Sequence, residues 1–199
     1  MKLLIATTNQ GKLGEYKRLL ADWECELLSL QDVSLQDKKP LENGKTFKEN
    51  AKKKALFYRK LSGLPTLADD AGLLIDYLDG EPGVHSRRWP GYEAKDEELV
   101  HMALEKLKGV PRPQRTAHFV VEIAFALPGR RYVQTFQGKL DGYITEKLVG
   151  KIPAGYPFRA IFQPEGKNIL LRDMSRKDEF AISHRKQALD KARSIVFPR

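Results

Sequence analysis

Residues 119–127, FVVEIAFAL, decide the fold class of this 199-residue chain. Apolar side chains occupy every second position, which is typical of a β-strand with one buried face. Pro128 and Gly129 then favour a turn, and residues 132–137 form a second strand. We therefore predict a long antiparallel hairpin over these two segments.

The N-terminal part of the chain has a different pattern. Residues 3–7 are a short apolar run, and the apolar residues after it recur at helical spacing: Leu13, Tyr16, Leu19 and Leu20. A second strand is predicted over residues 26–30, and residues 31–45 have the composition of a mobile loop. Strand–helix units of this kind, combined with a long hairpin, predict a mixed α/β sheet and not a purely doubly wound fold.

Three further helices, one of them a surface helix over residues 96–108, and one short strand follow from local signals. Residues 46–49, TFKE, have the form of a capping box and begin a helix that runs to about Lys60. Residues 66–68 are predicted to be a buried strand, and residues 150–164 a loop rich in Gly and Pro. The last helix is expected to begin at Ser183 as its N-cap.

Composition limits the class of protein. With 41% hydrophobic residues the chain can bury a core, and the longest apolar run falls well short of the roughly 20 residues of a membrane-spanning helix. The single cysteine, Cys25, cannot form an intrachain disulfide, so we expect a reducing, cytoplasmic location. The 35 Lys and Arg against 26 Asp and Glu give a net charge of +9. This excess leaves three partners open: nucleic acid, a membrane surface or a phosphorylated small molecule.

The first candidate binding site is the loop that precedes the first helix. A helix N-terminus exposes N–H groups that bind phosphate, and a lysine in the first turn is unfavourable unless an anion offsets it. The alternative is a simple cap by Thr8 or Asn9 with a solvated lysine. The loop consists of Thr7, Thr8, Asn9, Gln10, Gly11 and Lys12.

The second candidate is the pair Asp69 and Asp70, which follows the apolar strand of residues 66–68. Adjacent carboxylates repel each other, so they favour a hard cation such as Mg²⁺ or a general base that takes up a proton. A turn capped by two aspartates is the alternative.

The third candidate is His184 with Arg185 at the start of the last helix, where a cation again opposes the helix dipole.

These pieces, in this order, resemble the inosine/xanthosine triphosphate pyrophosphatase family, whose members hydrolyse non-standard purine nucleoside triphosphates to monophosphate and pyrophosphate. The resemblance runs nearly end to end. It rests on residues 6–12 (ATTNQGK) with Glu15, residues 46–51 (TFKENA) with Lys54, residues 68–73 (ADDAGL), residues 80–89 (GEPGVHSRRW) and residues 182–185 (ISHR).

The resemblance implies a fold and a set of roles. The fold would be one domain over residues 1–199, an elongated mixed twisted sheet with flanking helices, whose two lobes surround a nucleotide cleft. Asp70 would be the metal-linked general base with Asp69 and Lys12 as catalytic partners, and Mg²⁺, with Mn²⁺ as the alternative, would be held by Asp70, Asp69 and Glu42. The phosphates would contact residues 7–12, Lys54, Ala71 and Arg185. The resemblance also implies a nucleoside triphosphate as the partner, no membrane or nucleic-acid partner, and a homodimer as the assembly.

The base pocket departs from the family pattern. The residues expected to contact the base are Tyr156, Phe158, Arg159, Glu179 and His184. The family carries aspartate where this chain has Arg159, and lysine where it has Glu179, so charge is exchanged at both polar positions. In addition, this chain has Ala71 at a position where the family carries serine. We predict that Arg159 and Glu179 face each other and that the base preference is altered.

Two alternatives stay open beside the purine pyrophosphatase. One is a nucleotide-binding or nucleic-acid-binding protein that has kept the fold and lost catalysis, which the +9 charge and the altered pocket favour. The retained Asp69 and Asp70 oppose it, because a polyanion-binding groove has no use for adjacent carboxylates. The other is a pyrophosphatase for pyrimidine or modified nucleotides.

Overall fold

A computed structural model describes residues 1–196, which form six strands and five α-helices. The strands are β1 (Lys2–Ile5), β2 (Glu26–Ser29), β3 (Thr66–Ile75), β4 (Thr116–Ala126), β5 (Gln134–Ile144) and β6 (Phe162–Pro164). The helices are α1 (Gln10–Leu19), α2 (Phe47–Ser62), α3 (Asp96–Lys106), α4 (Arg176–Ile182) and α5 (His184–Val196). Every helix within the described residues is too short or too polar to cross a lipid bilayer.

The strands form one sheet in the order β2-β1-β3-β4-β5-β6. Strand β1 pairs in parallel with both β2 and β3, whereas β5 and β6 pair antiparallel. The mixed sheet predicted from the sequence is therefore confirmed. Strands β4 and β5, which the alternating pattern predicted as a hairpin, are neighbours in the sheet.

The chain divides into two compact units. The first contains residues 1–70, residues 121–138 and the chain from Arg185 onward, and the second contains residues 71–120 and 139–184. One apolar cluster of the first unit packs small side chains of α2, β3 and β4 together, among them Ala51, Ala55, Ala68 and Ala124. The core of the second unit includes Leu73, Leu99, Ile161 and Phe162.

The structure corrects the prediction for β3. The strand was expected to end at Ala68, but it continues to Ile75, so Asp69 and Asp70 lie in the middle of a strand and not in a turn. The reason is the apolar run of residues 73–75, which is largely buried and extends the strand past Gly72.

Two elements lie where no element was predicted. Strand β6 has three residues and ends in a proline, and it lies inside the predicted loop of residues 150–164. Helix α4 is short and polar, with Ser175 as its N-cap accepting a hydrogen bond from the Asp178 N–H. Helix α5 begins at His184, so Ser183 occupies the position directly before the helix, where the predicted N-cap should lie.

Candidate active site

The loop before α1 folds into a capped helix start. The Asn9 side chain accepts a hydrogen bond from the Lys12 N–H at 3.1 Å, and the Thr7 hydroxyl accepts one from the Asn9 N–H at 3.2 Å. The first turn of α1 contains no acidic residue, and Thr8, Gln10 and Gly11 are exposed. The helix dipole is therefore not offset by an acidic side chain within this turn.

The Asp69 carboxylate is buried and holds two cations. It lies 3.0 Å from Lys12 Nζ and 3.3 Å from Arg185 Nη2, so side chains from α1 and α5 meet on β3. Only 2% of Asp69 is exposed to solvent. Burial alone would raise the pKa of this carboxyl, but Lys12, Arg185 and Lys54 outweigh it and hold the pKa of Asp69 well below its usual range.

The two cations on Asp69 are not equivalent. Arg185 is 4% exposed and also donates to Glu15 Oε2 at 3.2 Å, so its guanidinium is bound from both sides. Burial lowers the pKa of Lys12, and the nearby Asp69 carboxylate offsets that effect only in part. The Lys12 side chain keeps 19% exposure, so its ammonium can still reach a ligand.

Asp70 has a different set of neighbours, because adjacent side chains of a strand point to opposite faces. Its carboxylate accepts a hydrogen bond from the Asn50 side chain, and Lys54 and Glu42 are among the charges that act on it. Burial raises the pKa of Asp70, and the cations Lys54 and Lys12 offset this only in part. A half-buried carboxyl with a raised pKa can act as a proton acceptor.

Lys54 links the two aspartates to the loop before α2. Its Nζ lies 3.0 Å from Glu42 Oε2 and donates to the Asp69 backbone carbonyl at 3.1 Å. Burial would lower the pKa of Lys54, but the carboxylates of Glu42, Asp70 and Asp69 raise it overall. Lys54 therefore carries a full positive charge beside Asp70.

Within residues 1–196, no three His, Cys, Asp or Glu side chains are grouped as a ready-made metal cage. The three predicted metal ligands have different surroundings. Asp69 is bound to Lys12 and Arg185, whereas Asp70 and Glu42 both lie near Lys54.

The residues expected to contact a base lie in the second unit, with a close ion pair among them. Arg159 Nη2 lies 2.7 Å from Glu179 Oε2, which confirms the prediction that these side chains face each other. The guanidinium also lies over the Tyr156 ring, with 5.5 Å from Cζ to the ring centroid. Both charged side chains remain partly exposed, at 20% and 27%.

The other two predicted base contacts are less accessible. Phe158 is 5% exposed, belongs to the core of the second unit and packs edge-on against Trp89. His184 is 9% exposed and stacks on Phe119 with ring centroids 5.9 Å apart. Ala71, which directly follows Asp70, is half-buried.

Sequence reasoning assigned no role to two residues that contact the site. Glu15 binds Arg185, and Asn50 binds Asp70, although both lie in stretches that carry the family resemblance. A signal for Asn50 was present. It is a polar residue on the helix face that also carries the buried residues Phe47 and Ala51.

Comparisons with known proteins match nearly the whole chain. The model of the Ham1 family matches residues 3–195. A dITP/XTP pyrophosphatase of Geobacter sulfurreducens is 41% identical over 189 residues, which cover 94% of this chain and 92% of that protein. A dITP/XTP pyrophosphatase of Bacillus licheniformis is 35% identical over 195 residues, covering 98% and 97% of the two chains. The structure of a HAM1 protein from Coxiella burnetii is 32% identical, covers 100% of both chains and superposes with a TM-score of 0.86.

Proposed function

Since this chain belongs to the Ham1 family, we propose that it is a nucleoside triphosphate pyrophosphatase. It adds water to a nucleoside triphosphate and releases the monophosphate and pyrophosphate. The names of its relatives point to dITP and XTP as the type of substrate, so its role is the removal of non-standard nucleotides.

The observation that carries the proposal is the cluster of charges around β3. Lys12, Lys54 and Arg185 converge on Asp69 and Asp70, and these three cations come from three different helices, α1, α2 and α5. Cations beside a half-buried carboxylate are what phosphoanhydride hydrolysis needs, because they bind the phosphates and a base orients the water.

The donor set fits a divalent metal ion such as Mg²⁺, with Mn²⁺ as the alternative. Counting Glu15 and Glu42, the cluster holds four carboxylates and three cations, so a hard cation would offset the surplus negative charge. Mg²⁺ in phosphate sites commonly takes one or two carboxylates plus phosphate oxygens. Asp70 and Glu42 would hold it. Glu42 is paired with one cation, Lys54, and stays partly exposed, whereas Asp69 is buried between Lys12 and Arg185. When bound, the ion neutralises phosphate charge.

The chain's own groups supply the remaining steps. Asp70 accepts a proton from the attacking water, and burial raises the pKa of this carboxyl above its ordinary value. Lys12 and Lys54 bind phosphate oxygens, with the N–H groups and side chains at the start of α1 as further donors, and Arg185, held between Asp69 and Glu15, adds positive charge beside them. Asp69 holds Lys12 and Arg185 in position. Attack at the α-phosphorus breaks the α–β phosphoanhydride bond, and pyrophosphate leaves.

For the base, we propose the Arg159–Glu179 pair together with Tyr156, Phe158 and His184. A guanidinium donor and a carboxylate acceptor present both hydrogen-bond roles to a base edge. Because their order is reversed relative to the family pattern, the preference for inosine and xanthosine triphosphates is expected to be weaker or changed. A screen of standard, deaminated and modified triphosphates for pyrophosphate release tests this, and strong selectivity for ITP and XTP would contradict the altered preference.

The variant Asp70→Asn tests the proposed chemistry against the alternative of a binding protein without catalysis. Removal of the base should lower kcat by about 10²- to 10⁴-fold. A protein that only binds polyanions would bind them equally well or more tightly after the loss of a negative charge, and its wild type would release no pyrophosphate.

The proposal also includes a homodimer located in the cytoplasm. Light scattering coupled to gel filtration should give twice the mass of one chain. A monomer at micromolar concentration would contradict the dimer without affecting the proposed reaction.

A further inference from the structure

A buried asparagine joins Asp70 to the loop that carries Glu42. Asn50 on α2 is 2% exposed, and its Oδ1 accepts a hydrogen bond from the Gly44 N–H at 2.7 Å. Its side chain also bonds the Asp70 carboxylate. An ionised carboxylate can only accept, so the Asn50 amide NH₂ must be the donor to Asp70. The two ends of one amide group are thus used for two different partners.

The contact with the loop is close enough to require glycine. A Cβ atom added at Gly44 would lie 2.5 Å from Asn50 Oδ1 and 2.8 Å from the Glu49 Cβ. Gly44 is buried, and the residue two positions before it is Glu42. The Asn50–Gly44 hydrogen bond therefore sets where the end of the Glu42 loop lies relative to α2.

Other contacts attach the same loop to α2 without reaching Asp70. The Tyr58 hydroxyl donates to the Lys38 carbonyl at 2.5 Å, and Lys53 Nζ donates to Asn43 Oδ1 at 2.7 Å. These contacts hold the loop on the helix. Asn50 differs from them because its second partner is the carboxylate proposed to act as base.

We propose that Asn50 is a positioning residue that keeps Asp70 and the Glu42 loop in a fixed relation. This inference rests on the proposed function, in which Asp70 and Glu42 together would hold the metal ion. Groups around a metal-bound or reacting carboxylate act by orienting it, and their removal typically costs activity without abolishing the fold.

The variant Asn50→Asp separates positioning from simple anchoring of the loop. It keeps the oxygen that accepts from Gly44 N–H and replaces the donor to Asp70 by a carboxylate. We expect kcat to fall about 10- to 100-fold with KM near the wild-type value. Hydrogen exchange at the Gly44 N–H should stay as slow as in the wild type. Wild-type kcat for this variant would overturn the inference, because the donor to Asp70 is then dispensable.

Gly44→Ala tests the other half of the contact and leaves Asn50 and Asp70 unchanged. The added methyl must displace the loop or the Asn50 amide, so hydrogen exchange in residues 42–45 should accelerate and kcat should fall. Asn43→Ala is the matched control, because Asn43 lies on the same loop, is exposed and accepts a hydrogen bond from Lys53 on α2. Wild-type kcat and exchange in Gly44→Ala would contradict the proposal.

The two proposals fail in different ways. If the wild type releases no pyrophosphate from any triphosphate with Mg²⁺ or Mn²⁺, the proposed function is wrong and the positioning role falls with it. If the wild type is active and Asn50→Asp is equally active, the proposed function stands and the positioning role alone is wrong. Fast exchange of the Gly44 N–H in the wild type would also reject the positioning role, whatever the activity.

Discussion

At the scale of single residues, β3 gives two adjacent aspartates different partners. The sequence alone presents Asp69 and Asp70 as one acidic pair, and both were predicted to act together on a metal. Because the strand continues through them, their side chains alternate, and Asp69 binds Lys12 and Arg185 whereas Asp70 meets Asn50. The sequence shows that two carboxylates stand side by side. It does not show that they have different neighbours, because that depends on where the strand ends.

The buried ion pairs of Asp69 should appear in the pH dependence of stability. Its pKa is held well below the ordinary value of 3.8. The carboxylate therefore stabilises the fold above the pKa of the unfolded chain, and this contribution is lost as the pH falls through the lower, folded-state pKa.

Asp69→Asn should lower the free energy of unfolding at pH 7 by about 3–5 kcal/mol, because Lys12 and Arg185 lose a buried partner. Urea titrations at a series of pH values measure this. The difference from wild type should shrink as the pH falls below 4. A difference that is constant from pH 7 to pH 2 would show that Asp69 is not held ionised by its partners.

Exchanging the charges of Arg159 and Glu179 tests whether this ion pair contacts the base. Arg159→Asp with Glu179→Lys reverses the ion pair, which is 2.7 Å long in this chain. The double variant should shift the ratio of kcat/KM for dITP over dATP toward dITP by about tenfold, because donor and acceptor trade places at the base edge. Each single variant leaves two like charges together and should lose activity on both substrates. An unchanged ratio in the double variant would place the base elsewhere.

At the scale of elements, α2 is the part of the site that the sequence predicted best. The capping box at residues 46–49 predicted its start, and Thr46 is the N-cap, with its hydroxyl accepting from the Glu49 N–H at 3.1 Å. Capping is a local effect, so it is visible in four residues.

Strand β6 was not predicted, because its conformation depends on a distant part of the chain. Its three residues carry no periodicity, and their conformation comes from pairing with β5.

Thr46→Ala should reduce the free energy of unfolding by about 1 kcal/mol, because the Glu49 N–H loses its acceptor. Thermal or urea unfolding measures the loss. Thr46→Ser keeps the hydroxyl and serves as the control. Equal stability of the alanine and serine variants would mean that the cap does not contribute.

The pairing of β5 with β6 depends on a glycine. A Cβ at Gly142 would lie 2.4 Å from the Gln163 carbonyl oxygen and 2.5 Å from the Phe162 ring. Gly142→Ala should therefore destabilise the chain by about 1–3 kcal/mol, since a paired backbone cannot move aside without loss. Gly14→Ala is the matched control. It lies inside α1, its Cβ would meet its nearest atom at an ordinary 3.6 Å, and it should stabilise the chain by about 0.5–1 kcal/mol.

At the scale of the whole molecule, the net charge of +9 is a poor guide to the partner. Three of the cations, Lys12, Lys54 and Arg185, are gathered on β3 beside carboxylates. The family resemblance and the mixed sheet could be read from the sequence because they rest on ordered motifs and on periodicity. The pairing of these charges could not, because it brings together residues from both ends of the chain.

The central claim is that water attacks the α-phosphorus of a nucleoside triphosphate. Turnover of dITP or XTP in H₂¹⁸O with Mg²⁺, followed by ³¹P NMR or mass spectrometry of the products, tests it directly. We expect the label in the nucleoside monophosphate and none in the pyrophosphate, with Asp70→Asn as the inactive control. Label in the pyrophosphate, or release of inorganic phosphate in place of pyrophosphate, would contradict the account.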